Sequence, residues 1–228
     1  MHSNPHEESK LDNPVLYALQ ESHQSFGATH EGMYFYLPKY CPFGASTPTT
    51  MEGIRSYAKA TEQFYLVGDK PLYGPQVLLE KGLPCVQMVL SSPVDLPITE
   101  TIYPLTTPQQ KKDLYALVQT IQPGYFQSKT TALGSYYGIY REGLLVAACG
   151  ERMKMNAFSE ISAIVTQPNY RGMGLASQLI KHTTDTVFHE NKRPFLHVIE
   201  SNKVAIRLYE SLGFIPRRLL YFWKFRRA

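Results

Sequence analysis

The feature that most narrows the fold is a change of period with almost no linker. A strand pattern, Glu160–Thr166, ends in the glycine-bearing stretch Gln167-Pro168-Asn169-Tyr170-Arg171-Gly172-Met173-Gly174. From there Leu175, Leu179, Ile180, Val187 and Phe188 recur at helical spacing. A strand that runs straight into a helix needs a crossover to reach its next neighbour, which builds α/β layers. The same turn has a chemical consequence. Its backbone N–H groups have no intrahelical acceptor and sit at the positive end of the helix dipole, a setting that suits phosphate. No Gly-Lys-Ser/Thr follows, so it is not a Walker loop, and it lacks the Gly-x-Gly-x-x-Gly of dinucleotide folds. On these glycines alone, an ordinary strand-to-helix turn is an equal reading.

The surroundings place that turn in a larger pattern. Thr107-Pro108-Gln109-Gln110 starts a helix, with a Thr cap, Pro in the first turn and Gln three residues after the cap. Leu114, Leu117, Val118 and Ile121 form its apolar face, and Pro123-Gly124 ends it. Strands are predicted at Ser135–Tyr140 and Leu144–Gly150, then Phe195–Ile199. A helix over Asn202–Leu212 stops at Gly213, and alternating Leu219, Tyr221, Trp223 and Phe225 close the chain as a strand. The order is helix, antiparallel strands, then two crossovers: a mixed α/β sheet. Residues 1–98 are less periodic and richer in Tyr, Pro and Gly. Helices are predicted at Asn13–Ser25 and Thr50–Thr61, with strands at Phe64–Val67 and Cys85–Leu90. The expected division is therefore 1–98, a smaller α/β region carrying no chemical motif, and 99–228.

Composition removes several function classes. With 43% hydrophobic and 12% aromatic residues in 228, the chain can pack a core. No apolar run reaches the ~20 residues of a membrane span. Met1 to Asn13 is polar and carries Glu7 and Glu8 where a signal peptide would be apolar. A net charge of +4 is low for a nucleic-acid binder, and Arg217, Arg218, Lys224, Arg226 and Arg227 concentrate it near the C-terminus. Cys41, Cys85 and Cys149 are odd in number, with neither CxxC nor paired His, which predicts reduced thiols, no metal site and a cytoplasmic location.

Arg171-x-x-Gly174-x-Ala176 resembles the Arg/Gln-x-x-Gly-x-Gly/Ala pattern of the GNAT acyltransferases, which bind acyl-coenzyme A. Asn202-x-x-Ala205-x-x-Leu208-Tyr209-Glu210-x-Leu212-Gly213-Phe214 resembles that superfamily's second signature, and Phe195-Leu196-His197-Val198 its fifth strand. The resemblance covers about residues 99–228 and leans toward the branch containing glycine N-acyltransferases. It implies a GNAT fold there and acetyl-CoA, or another acyl-CoA, as co-substrate without metal. The pantetheine arm would pair with the backbone of Ile164, Val165 and Thr166. The pyrophosphate would lie on the amides of Arg171, Gly172, Met173, Gly174, Leu175 and Ala176. Asn202 and Tyr209 would face the pantetheine and thioester end.

The reaction so implied sets three demands. An amine of pKa near 10 must shed a proton, the oxyanion needs a donor, and the thiolate of pKa near 8.5 needs a proton. The splayed strand near Val165 offers the donor. Tyr209 is the candidate acid, or else an aromatic packed on an amphipathic helix. For the base, relatives use a Glu at one of two places, here held by Glu160 and His197. Glu160 is equally readable as a structural ion pair with Arg152 or Lys154, and His197 as a hydrogen-bonded core histidine. Cys149 is assigned to the core. The loop bearing Tyr125 and Phe126 would border the amine. The expected protein is an acyl-CoA-dependent N-acetyltransferase acting on a small amine or amino acid. It would be a monomer or homodimer with no nucleic-acid or membrane partner. The alternatives are a protein N-acetyltransferase and a non-catalytic acyl-CoA sensor.

Overall fold

The computed structural model describes residues 5–228, so the first residues of the polar Met1–Asn13 stretch lie outside the described part. The helices are α1 (Pro5–Ser9), α2 (Pro14–Gln20), α3 (Met51–Ala58), α4 (Pro108–Ile121), α5 (Leu175–His189) and α6 (Lys203–Ser211). The first strands are β1 (Gly27–His30), β2 (Met33–Tyr36), β3 (Phe43–Ala45), β4 (Gln63–Val67) and β5 (Val77–Val89). The others are β6 (Tyr103–Pro104), β7 (Tyr136–Arg141), β8 (Leu144–Lys154), β9 (Phe158–Thr166), β10 (Arg193–Ile199) and β11 (Ile215–Arg227). All strands join one mixed sheet in the order β1-β2-β3-β4-β11-β5-β10-β9-β8-β7-β6. Only β3–β4 and β9–β10 pair parallel among these neighbours.

Local chemistry accounts for the helix ends. Thr107 Oγ1 accepts from the Gln110 N–H, and Gln110 Oε1 accepts from the Thr107 N–H, so two orphan amides are satisfied reciprocally. Asn202 caps α6 by accepting from the Ala205 N–H at 3.1 Å. The helix predicted over Asn13–Ser25 stops earlier, at Gln20. Glu21 leaves helical geometry there, and its carboxylate is held by Lys10 and by the Asn156 N–H.

The largest departure from expectation is β5, more than twice the predicted length. Val77–Pro84 lacks alternation, but antiparallel pairing to β11 runs along it, from Arg227↔Val77 to Tyr221↔Pro84. A Cβ at Gly82 would collide with the Trp223 ring, so glycine lets the indole lie flat on the strand. By sequence β5 belongs to the first 98 residues, yet it lies between β10 and β11. The short strands β1, β2 and β3 were not predicted either. At three or four residues each they carry too little periodicity.

The sheet buries both faces. On one, α2 and α4 cover Phe43, Phe158, Phe195, Phe222, Leu145 and Ala148. On the other, α5 and α6 cover Val146, Cys149, Ile161, Leu196 and Val198. The basic C-terminal residues are spent within the fold: Arg217 and Arg218 meet Asp12, Lys224 and Arg226 meet Glu80, and Arg227 meets Glu62. No helix among the described residues is long and apolar enough to cross a membrane.

Candidate active site

The site begins where two strands part. β9 and β10 pair parallel only from Arg193↔Phe158 to Phe195↔Glu160. Beyond that, β10 continues along β5 to Ile199, while β9 follows β8 to Thr166. The register of β8 and β9 slips between Ser162 and Val165, and Ala163 there takes φ +52°, a left-handed bulge that bends β9 away. The β9 edge facing the gap is thereby left without a strand partner. A cavity of about 680 Å³ occupies the gap, reaching Asn202 and Tyr209 on the α6 side and Glu160 and His197 on the α2/α4 side.

Ile164, Val165, Thr166, Arg171, Ala176, Asn202 and Tyr209 all border the cavity, with Val165 packed among the α4 residues. Gly174 is the N-cap of α5 with φ +73°, which turns the first helical amides outward at no steric cost. The amides of Leu175 and Ala176 have no intrahelical acceptor. Among the described residues, those of Gly172, Met173 and Gly174 are not bonded within the turn either. Arg171 differs: its N–H donates to Pro168 O at 3.3 Å. The closed turn Pro168–Tyr170 engages that amide, which among the described residues leaves those from Gly172 to Ala176 without an acceptor in the turn, and Arg171 Nε donates to Thr166 O at 3.4 Å. Leu175, by contrast, has a buried side chain and a free amide.

Tyr209 is 8% exposed and packs beside Phe214, and its hydroxyl has no protein partner among the described residues. Burial, with a smaller contribution from Cys149, pushes its phenol well above the usual range. Cys149 itself is fully buried, its thiol pushed up to about 12 by burial.

On the α2/α4 side, a polar row crosses five neighbouring strands. Arg152 on β8 donates from Nε and Nη2 to Glu160 on β9, at 2.7 and 2.8 Å. His197 Nδ1 on β10 lies 2.9 Å from Glu160 Oε1, and its Nε2 lies 3.1 Å from Nε2 of Gln87 on β5. Arg217 on β11 donates to Gln87 Oε1, and Gln87 Nε2 donates to Leu11 O. These last two bonds fix the Gln87 amide, so its NH2 faces His197. The neutral His197 ring therefore accepts at Nε2 and donates from Nδ1 to Glu160. Burial alone would raise the Glu160 carboxyl, but the Arg152 charge and the bonds from His197 and Arg152 outweigh it and hold the group at about 2.

The structural readings raised for Glu160 and His197 are both present, and both residues border the cavity. Glu160 is an ion pair with Arg152, and His197 is a hydrogen-bonded buried histidine. Lys154 pairs with Glu151 and Glu190 instead. Tyr125 and Phe126 line the cavity together with Phe43 and Phe222, and Tyr125 and Phe222 each meet Phe43 edge-on. Sequence reasoning missed Phe43, Leu83, Cys85 and Phe222 as cavity residues. It also missed Gln87, fully buried, whose only signal was a polar residue amid Cys85-Val86-Met88-Val89.

Comparison with known proteins gives a consistent picture. Residues 136–223 match the model of the FR47-like protein family. A crystal structure from Novosphingobium aromaticivorans DSM 12444, assigned to the GNAT acetyltransferases, superposes with a TM-score of 0.88 at 31% identity, covering 96% of this chain and 98% of that one. A GCN5-related N-acetyltransferase-like protein from Streptococcus suis 89/1591 superposes with a TM-score of 0.65 at 14% identity, covering 98% of each chain. A GCN5-related N-acetyltransferase from Kribbella flavida gives 0.62 at 15% identity, covering 94% of each. No curated protein matches the chain significantly.

Proposed function

The chain belongs to the GNAT superfamily and is an acyl-CoA-dependent acetyltransferase; from that premise we propose that its acceptor is the primary amine of a small molecule. One observation carries the proposal. Among the described residues, the α2/α4 half of the cavity is walled by Phe43, Tyr125, Phe126 and Phe222 around the buried Arg152–Glu160 ion pair, without the acidic groove an extended basic peptide would need. Residues 99–228 hold acetyl-CoA, and residues 1–98 supply Phe43, Leu83 and Cys85 to the acceptor wall.

Acetyl-CoA fits the α6 side. The amides from Gly172 to Ala176 receive the pyrophosphate, with Arg171 adding a charge. The edge of β9 that lacks a strand partner pairs with the pantetheine and offers an N–H to the oxyanion. The amine lone pair attacks the thioester carbonyl carbon; the C–N bond forms, the C–S bond breaks, Tyr209 donates a proton to the departing sulfur, and the proton that the attacking nitrogen sheds as it becomes an amide restores the phenol. Glu160, held ionised, draws the acceptor's ammonium group into the gap. Both nitrogens of His197 are engaged by Glu160 and Gln87, so His197 orients Glu160, and the ammonium proton leaves to water in the cavity.

The test is acetyl transfer from acetyl-CoA to two pools, small amines and peptides with free N-termini or lysines. It is read by thiol release and mass spectrometry. Transfer confined to the small amines is expected; transfer confined to the peptides overturns the proposal.

A further inference from the structure

The polar row does more than hold Glu160. It presents one edge of a guanidinium to the acceptor cavity in a fixed orientation. Arg152 spends Nε and Nη2 on Glu160, and its plane lies over the Phe43 ring, with Cζ 4.6 Å from the ring centre. Glu160 is in turn braced from behind by His197, and His197 by Gln87. A guanidinium pinned along one edge and across one face cannot swing. Two of its five N–H groups go to Glu160; the two on Nη1 and the second on Nη2 have no protein acceptor among the described residues, and Nη1 is not sealed away as a buried, unpaired atom. Arg152 borders the cavity, its side chain 11% exposed.

A rigid, desolvated guanidinium edge suits a planar oxyanion, because two lone pairs in one plane match its donors and little side-chain entropy remains to be lost. We infer that the acceptor carries a carboxylate besides its amine, and that Arg152 is the residue selecting it. The inference rests on the small-amine reading above. The Arg152–Glu160 pair is a fixed dipole, positive at Arg152 and negative at Glu160. An amino-carboxylate is a dipole of similar dimensions, so its carboxylate meets Arg152 while its ammonium group meets Glu160. Either group alone would leave one end of the pair unmatched in a poorly hydrated site. The rest of the molecule faces Phe43, Tyr125, Phe126 and Phe222, which suit an apolar or aromatic substituent rather than a second charge. The substrate class is thus an amino acid with an apolar side chain, free at its carboxyl end.

The experiment uses matched trios: phenylalanine, phenylalaninamide and phenethylamine, then leucine, leucinamide and isopentylamine. With the wild-type protein and saturating acetyl-CoA, kcat/KM for the free amino acid should exceed those of its amide and its decarboxylated amine by about 100-fold. In Arg152→Lys, which keeps a cation beside Glu160 but loses the planar edge, that ratio should collapse to within a few-fold while acetyl-CoA affinity is retained. Should Arg152→Lys fail to fold, the wild-type ratio stands alone, supported by thermal upshift with the amino acid but not with the amine. Amines turned over as fast as amino acids would overturn the carboxylate inference and leave the small-amine reading intact. Transfer only to peptides would overturn both. Discrimination that survives in folded Arg152→Lys would remove Arg152 from the role.

Discussion

Replacing Tyr209 by Phe isolates one hydroxyl. That hydroxyl bonds to no protein group among the described residues, while the ring packs against Phe214 and the α5/α6 core. Deleting it breaks no internal hydrogen bond and leaves the ring's burial unchanged, so stability should move by no more than about 0.5 kcal/mol. The rate is another matter. A positioned general acid contributes ~10²–10⁴-fold. Burial holds this phenol above its ordinary value of about 10, whereas a thiol sits near 8.5, so full transfer to a finished thiolate is uphill by at least about 2 kcal/mol. In the proposed role, the phenol would act while the C–S bond is breaking, when sulfur is only partly charged. The lower end of the range applies. kcat should fall about 100-fold, close to 2.7 kcal/mol, with acetyl-CoA affinity intact. The assay is thiol release at saturating acetyl-CoA, with single-turnover kinetics to establish that chemistry limits the rate. A thioester with a more acidic leaving thiol should lose less. If the Phe variant matches the parent while chemistry is rate-limiting, Tyr209 is a packing residue and the protonation step is wrong.

Other perturbations test the remaining parts. Gly174→Glu places a side chain at φ +73°, costing about 1–2 kcal/mol, and sets a carboxylate against the amide cradle; acetyl-CoA binding should vanish by calorimetry, and unchanged affinity in the folded variant would sink the cradle assignment. Glu160→Gln strands the buried Arg152 charge and should cost about 3–5 kcal/mol in urea unfolding, whereas a loss below about 1 kcal/mol would mean the pair is already solvated. His197→Gln should leave the acidic limb of kcat/KM in place, because both ring nitrogens already have partners; nitrogen-15 spectra of the neutral wild-type ring should show the proton on Nδ1, and a proton on Nε2 would refute the row as described. His23, bonded to Tyr36 and Leu133 O, is pushed down to about 4 by burial, so the folded state resists a proton that the unfolded chain takes near 6.5. Its contribution is complete above pH 6.5 and lost as pH falls toward 4, up to about 3 kcal/mol; His23→Gln should flatten urea midpoints across that window.

What the sequence by itself determined is whatever depends on neighbours within a few turns. The Thr107–Gln110 capping box, the Asn202 cap, the left-handed Gly213 stop and the strand–turn–helix around Gly174 each rest on residues close together in the chain. From these follow the crossovers and the mixed sheet, and the motif residues Asn202 and Tyr209 border the cavity. Tertiary structure decided the acceptor side. Gln87 meets His197 across 110 residues and Arg217 across 130, while β5 enters the sheet through pairing with β11 rather than through its own pattern. His197 could not be told from a free base in the sequence, because its two nitrogens are claimed by residues on other strands. The same holds for Arg152, whose open edge exists only because Glu160 and Phe43 occupy the others. Periodicity records which face of an element is buried. It does not record which strand lies alongside, and the chemistry of this pocket depends on that adjacency.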